Sequence, residues 1–236
     1  VPITTLNMLG RNWPAGGGWS VGGAFHRSWI DTILPLVIPS DANLSFDTAP
    51  RYYDYQFLAS RALGEQQLRL TWYGSMDKLV LVFDRPTDDP KIAGRLAART
   101  LFHALQARLS GPVAPGLRHE SSLQVGWQQF RIQFGPEFFF DLGVLSAAVR
   151  SAWTLDLARG LTLRAGVDGD LAGASIEANV PQPPKEGEPQ TPVSTSPTIS
   201  VNTSTTQRQP AAFAELRWEP AAGVAVLPGL RADYYG

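Results

Sequence analysis

The chain has 236 residues, 44% of them hydrophobic and 17% charged, with a formal net charge of −1 from 20 basic and 21 acidic side chains. That balance supplies neither a basic field for nucleic acid nor an acidic solvating tail. The absence of cysteine removes disulfide frameworks, thiolate zinc sites and thiol nucleophiles. No run approaches the roughly 18–20 apolar residues of a membrane-spanning helix. The best runs, Ile33 to Ile38 and Phe138 to Phe140, are short, which excludes a helical membrane protein.

Apolar and polar residues instead alternate with period two, the signature of strands with one greasy and one wet face. Taken in chain order, the pattern predicts strands near 2–9, 19–31, 50–62, 67–76, 97–109, 119–131, 142–157, 161–176, 210–219 and 227–236, about ten in all. Leu68, Leu70 and Trp72 oppose Arg69, Thr71 and Tyr73. The segment 92–109 also fits an amphipathic helix, because Leu96, Ala97, Leu101, Leu105 and Leu109 fall near three- and four-residue spacing. Between Leu123 and Phe134 the apolar phase jumps from odd positions (Leu123, Val125, Trp127) to even ones (Phe130, Ile132, Phe134). A bulge or the exit of the strand from a membrane explains such a jump. Further on, Val149, Trp153 and Leu155 oppose Arg150, Thr154 and Asp156. Leu161, Leu163, Ala165 and Val167 oppose Thr162, Arg164 and Asp168, and Ala212, Ala214, Leu216 and Trp218 oppose Glu215 and Arg217.

The connectors fall into two alternating classes. Short ones are expected at 64–66, 111–116, 159–160 and 220–226, and long ones at 32–49, 77–95, 134–141 and 177–209. An antiparallel meander with tight turns at one rim and loops at the other produces this order. Within the last connector, 181–209 is rich in Pro, Ser, Thr, Gln and Glu with almost no large apolar residue. It lacks the surface to offset its ordering entropy and is expected to be a long, disordered external loop. An interdomain linker is the competing reading.

The fold class expected is all-β: an antiparallel up-and-down transmembrane β-barrel, with residues 1–236 forming part of one barrel domain. A soluble sandwich has the same alternation, but ionisable side chains recur on the wet face of strand after strand (Arg69, Arg108, Arg150, Asp156, Arg164, Asp168, Asp170, Arg217, Asp233). A wide aqueous lumen accommodates them, and the runs exceed the five or six residues usual in soluble sheets. Aromatics including Trp29, Tyr52, Tyr53, Tyr55, Trp72, Trp127, Tyr234 and Tyr235 gather near expected strand ends, as at membrane interfaces. The chain starts at Val1 without a start methionine or export signal and stops at Gly236 after a strand-like run, so a piece of a longer protein is expected.

The runs Arg27 to Leu36 (RSWIDTILPL), Ala49 to Gln56 (APRYYDYQ) and Pro228 to Tyr235 (PGLRADYY) resemble the barrel of TonB-dependent outer-membrane receptors, particularly the divergent myxobacterial-type group. The resemblance spans nearly the whole chain. It implies a barrel of about 22 strands in the outer membrane of a Gram-negative bacterium, with an N-terminal plug and a TonB box, neither of them within these residues. It further implies active uptake of a scarce small extracellular ligand (siderophore, cobalamin, glycan or similar), driven by the TonB–ExbB–ExbD complex acting through the plug. Outer-membrane lipid is then a partner, and the protein is no enzyme.

Candidate ligand-binding residues are the expected lumen-facing Arg150, Arg164, Asp168, Asp170 and Arg217; the plainer reading is solvated pore lining. Asp168 and Asp170 share a strand face and carry the hard oxygen ligands a cation prefers, yet solvated pore lining paired with arginines such as Arg164 or Arg217 is the stronger reading. The stretch Asp84 to Asp89 (DRPTDD) is a candidate calcium-binding external loop by composition but lacks the spacing of a recognised calcium loop, and a polar loop is the plainer reading. No catalytic group, metal or cofactor is expected: His26, His103 and His119 fall in no metalloprotease or nucleophile-elbow pattern. Three rival readings remain open. They are a passive porin-like barrel, a soluble β-sandwich adhesion or carbohydrate-binding module, and an outer-membrane hydrolase built on Ser28 and His26.

Overall fold

The computed structural model of the chain describes residues 5–9, 13–15, 17–29, 44–83, 95–183 and 196–236. These form one antiparallel 12-stranded sheet. In chain order its strands are β1 (Thr5–Leu9), β2 (Trp13–Ala15), β3 (Trp19–Ser28), β4 (Leu44–Leu63), β5 (Gln66–Phe83), β6 (Arg95–Ala114), β7 (Leu117–Phe134), β8 (Phe138–Ala158), β9 (Leu161–Pro181), β10 (Thr198–Ala221), β11 (Val224–Val226) and β12 (Gly229–Asp233). From β3 to β10 every strand pairs with its sequence neighbours, the up-and-down order expected. The described strands do not close into a ring.

Tight turns lie at one rim, at residues 17–18, 64–65, 115–116, 159–160 and 222–223. Four of these carry glycine at the second turn position with positive φ (Gly18, Gly116, Gly160, Gly223), and the last three each adjoin a register shift in their hairpin (112/114, 156/158 and 218/221). A type I turn followed by a glycine bulge gives this combination.

The strands are longer than the alternation predicts, and several expected loops shrink accordingly. The expected loop 134–141 is a three-residue turn, with Phe134 paired directly to Phe138. β5 runs on to Phe83 and β6 begins at Arg95. The expected disordered loop 181–209 is cut back at its far end, because β10 starts at Thr198 and pairs residue by residue with β9 from Pro181. Its first residues, Thr198, Ile199, Val201, Thr203, Thr205 and Thr206, are largely β-branched, and such side chains suit a pleated surface even where hydrophobicity is low. The calcium-loop candidate 84–89 lies outside the described residues.

Helix is excluded for 95–109. Arg95–Ala114 is a strand hydrogen-bonded on both sides, from Val82↔Arg95 to Gln67↔Ser110 on β5 and from Leu96↔Phe134 onward on β7. The apolar phase jump in β7 involves no bulge, since β7 pairs with β8 without interruption from Leu117↔Leu155 to Phe134↔Phe138. The facing of the strand is constant; what changes is which face is apolar.

A single layer has little interior. Val80, Leu101, Phe138 and Ala152 are buried among neighbours on the sheet, while the chain exposes 15755 Å². A compact soluble protein of 25.6 kDa exposes roughly 10,400 Å². No second sheet packs on this one among the described residues, which removes the sandwich architecture.

Candidate functional site

Cross-strand partners share a face, so the register sorts every side chain. One face carries Phe57, Trp72, Leu105, Val125, Ala147 and Leu171, a row joined by direct pairing from β4 to β9. Most of the large hydrophobics exposed on the sheet lie on this face, among them Trp127, Leu145, Val149, Trp153, Val167 and Trp218. On β9 the apolar stretch of this face extends from Leu161 to Leu171, about the 9–11 residues with which a strand crosses a bilayer.

This apolar band runs obliquely across the strands. Along a row perpendicular to them, Leu101 pairs with Gln129, Gln129 with Gly143, Gly143 with Ser175 and Ser175 with Ser204. The row thus leaves the apolar band as it crosses the sheet. The loop-side edge of the band lies at Leu101 on β6, Trp127 on β7, Leu171 on β9 and Ala212 on β10. Strands tilted to a bilayer by 35–45° place a horizontal belt in this slanting order.

The opposite face is polar over the same stretch and carries the candidate residues. Arg150, Asp168 and Ala211 pair in one row, continued by Asp233. The Asp168 carboxylate, 13% exposed, lies between two guanidiniums: Arg231 Nη1 donates to its Oδ2 at 2.6 Å, and Arg150 Nε stands 3.5 Å from its Oδ1. Arg231 also meets Asp233 at 2.9 Å. With Gln106, Gln124 and Asp170 these groups line a cavity of about 320 Å³. Two positive groups at Asp168 make this a poor place for a metal cation.

Arg150 and Arg164 each cover the Phe213 ring, at 5.2 and 5.9 Å from its centroid. Phe213 lies over Gly166, where a Cβ would come within 2.8 Å of the ring. The fold therefore joins Arg150, Asp168, Asp170 and, through Phe213, Arg164. It leaves Arg217 apart, donating to Glu219 at 2.8 Å beside the tight-turn rim. Sequence reasoning missed Arg231 and Phe213. Arg231 stands two positions before Asp233, the same-face spacing that marked Asp233 itself, and applying it there would have found Arg231.

A second polar cluster lies on β3–β6. His26 Nδ1 and Asp54 Oδ2 are 2.6 Å apart, and His26 meets Tyr52 edge-on at 5.1 Å. A cavity of about 440 Å³ opens beside Tyr52, Asp54, Gln56, Tyr73 and Ser75. Ser28 lies two positions along the strand from His26, on the same face, and the ring's Nδ1 is engaged by Asp54 on the neighbouring strand.

No family model matches the sequence, and no curated protein matches it. Solved structures do. One is a double mutant of the ferric enterobactin receptor PfeA from Pseudomonas aeruginosa, 16% identical, with a TM-score of 0.57 over 98% of this chain and 37% of the receptor chain. The same receptor in complex with BCV-L6 gives 16% identity and a TM-score of 0.53 over the same shares. The likeness is one of fold: the chain has the fold of a stretch of receptor barrel wall and spans 37% of the length of the receptor chains it matches.

Proposed function

We propose that the chain is part of the wall of a TonB-dependent outer-membrane receptor, which takes up a scarce small ligand by active transport. The observation that carries the membrane reading is the slanted apolar band, exposed on one face and backed by arginines and aspartates on the other. A water-soluble protein hides such a band, whereas lipid covers it in a barrel whose lumen is wet. The fold likeness to the ferric enterobactin receptor favours the gated receptor over a passive porin-like barrel. In this reading the remaining strands complete the ring, a plug fills it, and the long connectors with the lumen-facing Arg150, Arg164, Asp168, Asp170 and Arg231 meet the ligand. Arg217, held by Glu219 near the opposite rim, is the weakest of the candidate ligand residues.

The experiment is uptake by cells carrying the full-length protein, with and without TonB. Accumulation of a ferric siderophore, cobalamin or glycan that requires both the protein and TonB supports the proposal. Accumulation indifferent to TonB turns the reading to a passive barrel.

A further inference from the structure

Three cavities on the inner face join into one track. The first, about 440 Å³ beside Tyr52, Gln56 and Tyr73, shares Tyr73 and Phe102 with a second of about 380 Å³ over β6–β8. The second shares Gln124 with the third, the cavity of about 320 Å³ at Arg150 and Asp170. At ~4.8 Å between strands the track runs about 24 Å from β4 to β9. On the way it steps toward the tight turns, from the Asp54–Ser75 row to the Arg150–Asp168 row, with the same slant as the apolar band on the other face. Tilted strands therefore hold it at one height around the wall. Its middle is deep because the paired residues Ala104, Gly126 and Ser146 that floor it are small.

The lining is uncharged along most of this length and rich in groups that both donate and accept. Gln56, Tyr73, Thr100 and Gln128 line the first two cavities and make no side-chain hydrogen bond among the described residues. Asp170 in the third makes none either. Gln106 donates to Gln124 at 3.3 Å, which leaves an acceptor on the first amide and donors on the second. Among the described residues no arginine or lysine lines the first two cavities, and in the third Asp168 stands against both guanidiniums. Asp54 in the first is engaged by His26. A polyanionic ligand finds no free counter-charge over most of the track, whereas a ligand of hydroxyl groups finds partners throughout.

We infer that this track binds an uncharged oligosaccharide. Each sugar hydroxyl donates and accepts, and amide and phenol groups answer both roles. The C–H face of a sugar ring packs on an exposed aromatic ring. Tyr73 and Phe102 supply such rings, meeting edge-on at 6.0 Å where the first two cavities join, with Phe102 36% exposed. Three linked cavities at one height suit a chain of similar units better than one compact ligand. The inference rests on the receptor reading above and names the class of its ligand.

The test is titration calorimetry on the full-length protein in detergent micelles. The probes are the linear hexaoses and trioses of glucose, mannose, galactose and xylose, with hexagalacturonate, a Gly-Ser hexapeptide and a ferric tris-catecholate for comparison. At least one neutral hexaose is expected to bind, and to bind about tenfold tighter than its triose because it enters more than one cavity. Gln124→Leu, at the junction of two cavities, weakens that binding by about tenfold through the lost hydrogen bonds. Gln67→Leu, on the same face nearer the tight turns and paired with Ser110, leaves it unchanged. Should Gln124→Leu fail to fold, Gln128→Leu and the comparison of hexaose with triose on the parent carry the test. The inference is overturned if no neutral hexaose binds, if hexagalacturonate or the hexapeptide binds as well, or if the folded variant stays within twofold of the parent. Binding of the ferric tris-catecholate alone overturns the ligand class and leaves the receptor standing. Brominated-lipid quenching of tryptophan fluorescence checks the wall separately, and its absence sinks the membrane reading along with the track.

Discussion

Tyr55 and His103 meet across an intervening strand: the phenol oxygen lies 2.6 Å from Nδ1 of His103, two strands away. Gly74, paired with both, leaves the gap through which they touch. A Cβ at 74 would fall 2.7 Å from each of the two polar atoms and 2.6 Å from the Phe102 carbonyl oxygen.

Gly74→Ala is accordingly expected to destabilise the folded wall. The side chains can swing away, but the backbone carbonyl cannot, so the sheet must shift and the hydrogen bond breaks. A cost of about 1–3 kcal/mol is expected, as for other overpacked sites. Tyr55→Phe, which loses only the hydrogen bond, costs about 1 kcal/mol. Urea midpoints of the protein in detergent measure both, and a Gly74→Ala midpoint equal to that of the parent contradicts the close approach.

The exposed band yields a test that separates lipid from water. Val167 lies within the band on β9 and is 53% exposed. In water, Val167→Arg at such a position changes stability little. Facing the bilayer midplane it costs about 2–4 kcal/mol, seen as a lower yield of folded protein in vesicles. Gln124→Arg, on the polar face beside the cavity, inserts normally. Equal insertion of the two variants argues against lipid on that face.

How much of this was legible in the sequence follows from the same two faces. Where one face is greasy and the other wet, as at Leu161 to Asp168, alternation located the strand and assigned its sides. At Thr198–Gln209 both faces are polar, so no period appears, and strand identity comes from pairing with β9, which a local pattern does not contain. Loops 77–95 and 134–141 were overextended for the converse reason: residues 79–83 and 138–140 are apolar on both faces, so again no period appears, and Lys78 and Asp141 interrupt the apolar phase without interrupting the ladder. Of the candidate site, Arg150, Asp168 and Asp170 were legible as same-face residues. The clamp by Arg231 was not, because it comes from β12, whose register on β10 is a non-local pairing that alternation within the strand does not contain.

The clamp itself predicts non-additive energetics. Asp168→Ala removes the carboxylate that accepts from Arg231 and is ion-paired with Arg150, and leaves the two guanidiniums without their shared counter-charge. The guanidiniums are half-exposed, so water screens the loss to about 1–2 kcal/mol. Adding Arg231→Ala should cost less than the sum of the single changes, because the interaction is already broken. A double-mutant cycle from unfolding midpoints measures the coupling; strict additivity shows the pair to be energetically idle.

The final prediction concerns the point where the two faces exchange character. Toward the loop rim, Phe130, Ile132, Phe138, Phe140 and Leu142 occupy the face that nearer the turns carries Arg150 and Asp168, while Gln129, Arg131 and Asp141 take the other. Gln129 donates to both Asp141 oxygens, at 3.0 and 3.2 Å, so the newly polar face is hydrogen-bonded, as the proposed membrane wall requires where it leaves lipid for water. The apolar side chains then shelter on the inner side, where Phe138 is only 3% exposed. Phe138→Ala should therefore destabilise by about 3 kcal/mol, the lower end for a buried phenylalanine. Phe139→Ala, one position along and on the opposite face, should cost under about 1 kcal/mol. A loss at Phe139 as large as that at Phe138 would mean that the exposed face has a partner at this height as well, and that β7 and β8 do not stand free above the membrane.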